Sequence, residues 1–384
     1  MTKMRTIAPI LFSMTILVGC ASEPMLEQTA IFTSGIGGYH TYRIPALVIT
    51  PQGAILAFCE GRKNKQGDTG DIDLLMKRSE DGGVTWSEQQ IVWDDGNNVC
   101  GNPSPVVDEE TGVIWLLMTG NSSEDHEEDI IHKRGQDTRR VFVSSSQDDG
   151  KTWAEPTDIT ASVKDPSWGW YATGPGHAIQ LKNGPHKGRL VIPCDHSYDD
   201  TTNAVINNLY GYGSHTIFSD DHGKTWQIGG VIRPKANECQ VVELADGNGT
   251  LLMNMRSYFG HNRRTHASSS DGGLTWTPPT DVDDLVEPVC QASIIRYSTD
   301  RDGDKNRLLF SNPAKESRER LTIKMSIDEG KTWPVFKALY AGPAAYSDLA
   351  VSPDKAIYCL YERGIEHPYE EITFAKFDLE WLTE

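Results

Sequence analysis

Several side chains sit in local contexts that suit chemistry. Tyr346 lies in Gly342-Pro343-Ala344-Ala345-Tyr346-Ser347-Asp348-Leu349, and Glu238 in Asn237-Glu238-Cys239-Gln240. Arg43 stands in Tyr42-Arg43-Ile44-Pro45-Ala46-Leu47. Arg256 closes the apolar run Leu251-Leu252-Met253-Asn254-Met255, which places it at a strand end. Arg318 precedes Leu321-Thr322-Ile323-Lys324, with Arg320 two residues on. Asp68, Asp71 and Asp73 share the loop that begins at Arg62. Guanidinium forks match carboxylates bidentately. Carboxyls move protons. A phenol becomes a nucleophile when a neighbouring base takes its proton.

These residues are far apart in the chain, so the fold must gather them. The chain has 384 residues, 38% of them apolar and 23% charged, which provides for a large core and excludes disorder. The net charge of −18 argues against a nucleic-acid binder and against a surface held on anionic lipid by charge. The 35 glycines and 20 prolines are spread along the chain and suit many short strands and turns. No interior stretch reaches the roughly 18 consecutive apolar residues of a membrane span. Length alone suggests two or three domains. No linker-like or low-complexity stretch divides residues 30–384, so one domain is expected there.

An eight-residue pattern fixes the architecture. Ser79–Trp86, Ser146–Trp153, Ser219–Trp226, Ser269–Trp276 and Ser326–Trp333 all read S-x-D-x-G-x-T-W. The Ser and Asp oxygens can accept bonds from nearby backbone N–H groups, the Gly supplies a positive φ, and the Trp can fold back as an apolar plug with one N–H to satisfy. Strand-like runs flank the copies, as in Arg140-Val141-Phe142-Val143 before the second. Each unit reads as a small antiparallel sheet that needs neighbours on both faces, and radial stacking supplies them.

The pattern resembles the Asp box of the bacterial exo-α-sialidase (neuraminidase) family, over residue 30 to the end. The resemblance implies an all-β, six-bladed β-propeller in which the boxes are structural. The blade without a box is expected to be closed by strands from both chain ends, with Glu371–Phe377 contributing. It further implies a retaining glycoside hydrolase that removes terminal α-linked sialic acid from glycoconjugates. By similarity of motif, Tyr346 is the nucleophile, Glu238 its base, and Asp68 the acid/base, with Asp71 as alternative. Arg43, Arg256 and Arg318 would hold the sugar's carboxylate, with Arg320 the alternative to Arg318. Glu362 resembles the carboxylate that orients Arg43, and Arg62 would lie near the sugar. A Tyr nucleophile suits an anionic sugar, which would repel a carboxylate, and sialidases depart in this way from the two-carboxylate rule. The segments Trp170–His177 and Pro193–His196 resemble site-lining segments. A trans-sialidase, an anhydro-forming enzyme, one preferring deaminated sialic acid, or a non-catalytic glycan-binding propeller would share much of this pattern.

No metal or other cofactor is required by this chemistry, and no ligand cluster is apparent. The charge balance predicts a local positive hollow in an acidic surface. Lys3, Arg5 and the apolar Ile7–Val18 read as a secretory leader over 1–19, ending in the lipobox-like Leu17-Val18-Gly19-Cys20. This predicts an exported protein whose membrane attachment is a lipid on Cys20, with 20–29 as a short tether. Cys59, Cys100, Cys194, Cys239, Cys290 and Cys359 lie mostly in apolar runs and are expected to be small buried hydrophobes rather than bridges.

Overall fold

The computed structural model describes residues 25–200 and 210–384. The leader and Cys20 lie outside the described residues. The chain forms four hydrogen-bonded sheets that resolve into six antiparallel blades. The first blade runs Thr41–Ile49, Ile55–Arg62, Ile72–Ser79 and Gln90–Trp93; the second runs Val99–Val107, Ile114–Asn121, Arg140–Ser146 and Thr157–Asp158. A single parallel bridge, Ile72 to Val99, joins these two into one sheet. The third blade has a divided inner strand, Tyr171–Thr173 and Ile179–Gln180, beside Leu190–Asp199, Tyr210–Ser219 and Gln227–Ile232. The fourth is Ala236–Glu243, Leu251–Ser257, Arg263–Ser269 and Thr280–Val286. The long strand Val335–Val351 serves two blades. Its first part is the outer strand of the fifth, after Ser293–Ser298, Arg307–Pro313 and Glu319–Ser326. From Ala344 it is the inner strand of the sixth, beside Ile357–Arg363.

The sixth blade is completed by Glu371–Phe377 and by Leu26–Thr33 from the other chain end, paired from Leu26–Phe377 to Thr33–Glu371. Each Asp box is the turn between a blade's third and fourth strands. In the sixth blade those strands come from opposite chain ends, so no turn exists there to carry a box. The blade begins at Leu26, four residues earlier than the sequence reading places it, because Leu26–Thr29 already pair in the sheet.

Six apolar clusters each fill one gap between adjacent blades. One of them packs Leu47 and Leu75 of the first blade on Leu360 and Phe374 of the sixth, which closes the ring. On the axis, the buried Asp348 carboxylate accepts the N–H of Leu47 at 2.8 Å, the N–H of His177 at 2.9 Å and the Ser293 hydroxyl at 2.8 Å. These donors come from the first, third and fifth blades, so one carboxylate ties the inner strands together.

The box turns behave as their residues require. In the first, the Ser79 hydroxyl accepts the Gly83 N–H at 2.9 Å, and Asp81 accepts the N–H and hydroxyl of Thr85 at 2.8 and 2.6 Å. Gly83 has φ 90°, and a Cβ there would sit 2.2 Å from Phe374 of the preceding blade. Trp86 stands edge-on to the same Phe374 at 5.0 Å. Its indole N–H donates to the Gly83 carbonyl at 3.1 Å, whereas those of Trp153, Trp226, Trp276 and Trp333 have no protein acceptor. The six described cysteines are free and buried.

Candidate active site

The strand pairing separates boxes from site. In the first blade Ser79 pairs with Ile55 at one end of the strands, while Ile72 pairs with Arg62 at the other. At that second end, four inner strands break register at the same level. The breaks lie between Arg43 and Ala46, Gly101 and Ser104, Ala236 and Cys239, and Ala344 and Ser347. A bulge re-aims the side chain it carries. Here the bulges hold Asn102, Glu238 and Tyr346, and Arg43 directly precedes the first. Ile44 and Asn102 pay for this geometry with φ of 61° and 53°.

The bulges bring the nucleophile candidate and its base together. The Tyr346 hydroxyl donates to Glu238 Oε1 at 2.6 Å. Arg256 bridges both, donating to Glu238 Oε2 at 2.7 Å and to the Tyr346 oxygen at 3.2 Å. Burial and the Glu238 charge push the Tyr346 phenol well above its ordinary range, against the pull of Arg256 and Arg318. The phenol is therefore neutral at rest.

The three predicted arginines converge on this phenol. Arg43 lies 5.0 Å and Arg318 5.5 Å from the Tyr346 ring centroid. Glu362 takes Arg43 Nε at 2.7 Å, the Ile44 N–H at 2.9 Å and the Tyr346 N–H at 3.0 Å. One buried carboxylate thus sets both an arginine and the backbone of the tyrosine. Arg320, the alternative to Arg318, is exposed.

Asp68 projects from the loop after Ile55–Arg62 and pairs with Arg62 at 2.7 Å. Partial burial raises its pKa, but Arg62, Arg43 and Arg139 more than offset this and hold the carboxyl below its usual range. Asp71 and Asp73 instead pair with Lys63 at 2.9 and 3.1 Å. Arg62 is buried and braced by Glu60 at 2.7 Å.

Other residues of the site were not singled out from the sequence. Glu60 had a signal: two residues before Arg62 on a strand, it shares that residue's face. Arg139, stacked 4.1 Å over the Trp170 ring, comes from a loop, and Glu127, which accepts the Tyr212 hydroxyl at 2.7 Å, from the start of the short helix Glu127–Ile131; neither carries a motif. Asp195 is fully buried and accepts from Asn237 at 2.9 Å; burial, with Glu238 and Glu127 adding, pushes its carboxyl well up. Tyr369 carries its ring 4.1 Å from Arg43 and accepts from Arg318 at 2.6 Å. The Pro193–His196 segment therefore contributes through Asp195 beneath the site, and Trp170 through Arg139.

The hollow is a balanced set of ion pairs more than a positive patch. Arg43, Arg62 and Arg256 each have an acid. Among the described residues, no carboxylate lies within ion-pair distance of Arg318. A cavity of about 630 Å³ opens beside Asp68, lined also by Glu127, Tyr210 and Tyr212. A cavity of about 760 Å³ lies along inner-strand residues such as Val106, Val241 and Ile294. It includes none of the converging arginines. Among the described residues no group of His, Cys, Asp or Glu could hold a metal.

Residues 53–359 match the BNR repeat-like domain family. The chain is 36% identical over 380 residues to a sialidase of Micromonospora viridifaciens and 33% identical over 350 residues to one of Bacteroides fragilis. These alignments cover 94% and 85% of this chain, which spans only 55% and 60% of those relatives. The solved Hadza microbial sialidase Hz136 superposes with a TM-score of 0.79 at 32% identity, covering 92% of this chain and 69% of that one. The family match spans most of the chain and the alignments with these sialidases run over nearly all of it, so the chain belongs to the sialidase family.

Proposed function

We propose that this protein is a retaining exo-α-sialidase acting on terminal α-linked sialic acids of glycoconjugates. The observation that carries the reading is the Tyr346–Glu238 hydrogen bond at 2.6 Å, enclosed by Arg43, Arg256 and Arg318. A sugar acid seated there presents its carboxylate to the three forks. The adjacent anomeric carbon then faces the phenol.

The Tyr346 oxygen attacks that carbon as its proton passes to Glu238. The glycosidic carbon–oxygen bond breaks, and the leaving oxygen takes a proton from Asp68. Asp68 then accepts a proton from water, which attacks the anomeric carbon and releases the sugar. The phenolic oxygen recovers its proton from Glu238. Arg256, bonded to both Glu238 and the phenol, stabilises phenolate character as it develops.

Asp68 needs a proton that Arg62 keeps off it. The substrate's own carboxylate supplies the correction, because an anion on Arg43 weakens the positive field that depresses Asp68. The side chain is 66% exposed, so it reaches solvent and substrate without unpacking the core.

Release of free sialic acid from sialyllactose tests the reading. Wild type should turn over, and Tyr346→Phe should lose at least about 10³-fold in kcat. Retained turnover in that variant removes Tyr346 from the role. NMR of the first-formed product separates retention from inversion, and hydrolysis from transfer or anhydro-sugar formation.

A further inference from the structure

We propose that Tyr369 is the positioning residue that aligns Arg43 and Arg318 for a shared carboxylate. This rests on the sialidase reading above. The three arginines are not held alike. Arg43 is fixed by Glu362 and Arg256 by Glu238. The Arg318 side chain has one hydrogen bond among the described residues, to the Tyr369 hydroxyl at 2.6 Å. The same aromatic ring lies 4.1 Å from the Arg43 guanidinium carbon, which also lies 5.0 Å from the Tyr346 ring.

Tyr369 itself is held by a stiff loop. The Glu370 carboxylate accepts the N–H groups of Ile365, Glu366 and His367 at 3.1, 2.7 and 3.0 Å. The Ser34 hydroxyl donates to the Tyr369 carbonyl at 2.8 Å, and the Ser34 N–H to the Glu370 carbonyl at 2.9 Å. The loop is thereby fastened to the turn that leads into Arg43. A phenol suits this position for a physical reason. An acid would orient Arg318 equally well, but of the three converging arginines it would cancel the guanidinium charge that, among the described residues, has no carboxylate at ion-pair distance. A neutral oxygen orients the fork and leaves its charge for the ligand. The ring face meanwhile attracts Arg43 without a counter-ion.

The test compares Tyr369→Phe, Arg318→Met and the double variant. Binding is measured for a dehydrated sialic acid analogue and for its methyl ester, which lacks the anionic carboxylate. Tyr369→Phe should weaken the acid about tenfold, the loss of one charge-assisted hydrogen bond, and leave the ester within about twofold. KM should rise more than kcat falls, with the limbs of the pH–rate profile unmoved. In the Arg318→Met background, Tyr369→Phe should have no further effect on the acid. Equal weakening of acid and ester, no weakening of either, or full additivity in the double variant would each overturn the proposal. If wild type releases no sialic acid, the functional reading fails instead, and acid-against-ester binding still decides the role of Tyr369.

Discussion

Glu362 couples the fold to the site, and its removal has a calculable cost. It is fully buried and takes three short bonds, from Arg43 Nε and from the backbone N–H groups of Ile44 and Tyr346. Glu362→Gln preserves the volume but turns one donor-bearing nitrogen toward these donors. Breaking a buried pair by removing one charge costs about 3–5 kcal/mol. That is a large part of the roughly 5–15 kcal/mol by which a domain is stable. The same change frees Arg43 and the Tyr346 backbone to shift, and a displacement near 1 Å at a reacting group costs on the order of 10²-fold in rate. Urea unfolding followed by tryptophan fluorescence reads the first effect, and kcat/KM on a fluorogenic sialoside reads the second. The double variant Arg43→Met, Glu362→Gln should recover most of the stability, because no unpaired charge remains, and none of the activity. A single Glu362→Gln variant within about 0.5 kcal/mol and threefold of wild type would refute the reasoning.

Two pH-dependent outcomes follow from the same electrostatics. Arg62 helps hold Asp68 ionised, so Arg62→Gln should raise the Asp68 pKa and move the basic limb of the kcat/KM profile to higher pH; a limb that stays or moves down contradicts the assignment of Asp68 as proton donor. The Asp148 carboxyl is held at about 2 by the hydroxyl and backbone N–H of Thr152. A depressed acid stabilises the fold above its unfolded pKa of about 3.9 and loses that contribution as pH falls through its folded value. Asp148→Asn should therefore lower Tm at pH 7, with the difference from wild type closing toward pH 2; a gap that persists in acid shows that the side-chain charge is not what the box turn uses.

The sequence by itself determined the blades. A turn needs particular side-chain oxygens and a positive-φ glycine at set offsets within eight residues, and such local demands are written contiguously, five times over. It also carried Arg43, Glu238 and Tyr346, because each lies in a short distinctive string. Tertiary structure decided the rest of the site. Arg139, Glu127 and Tyr369 have ordinary neighbours in sequence, and what distinguishes them is what faces them in the folded chain. Asp68 differs from Asp71 and Asp73 in the cation it meets, Arg62 rather than Lys63, and only the folded loop shows that difference. The register breaks beside Arg43, Glu238 and Tyr346 belong to the pairing of each strand with its neighbour, and no single strand encodes them. The convergence of these three residues is a property of the closed ring.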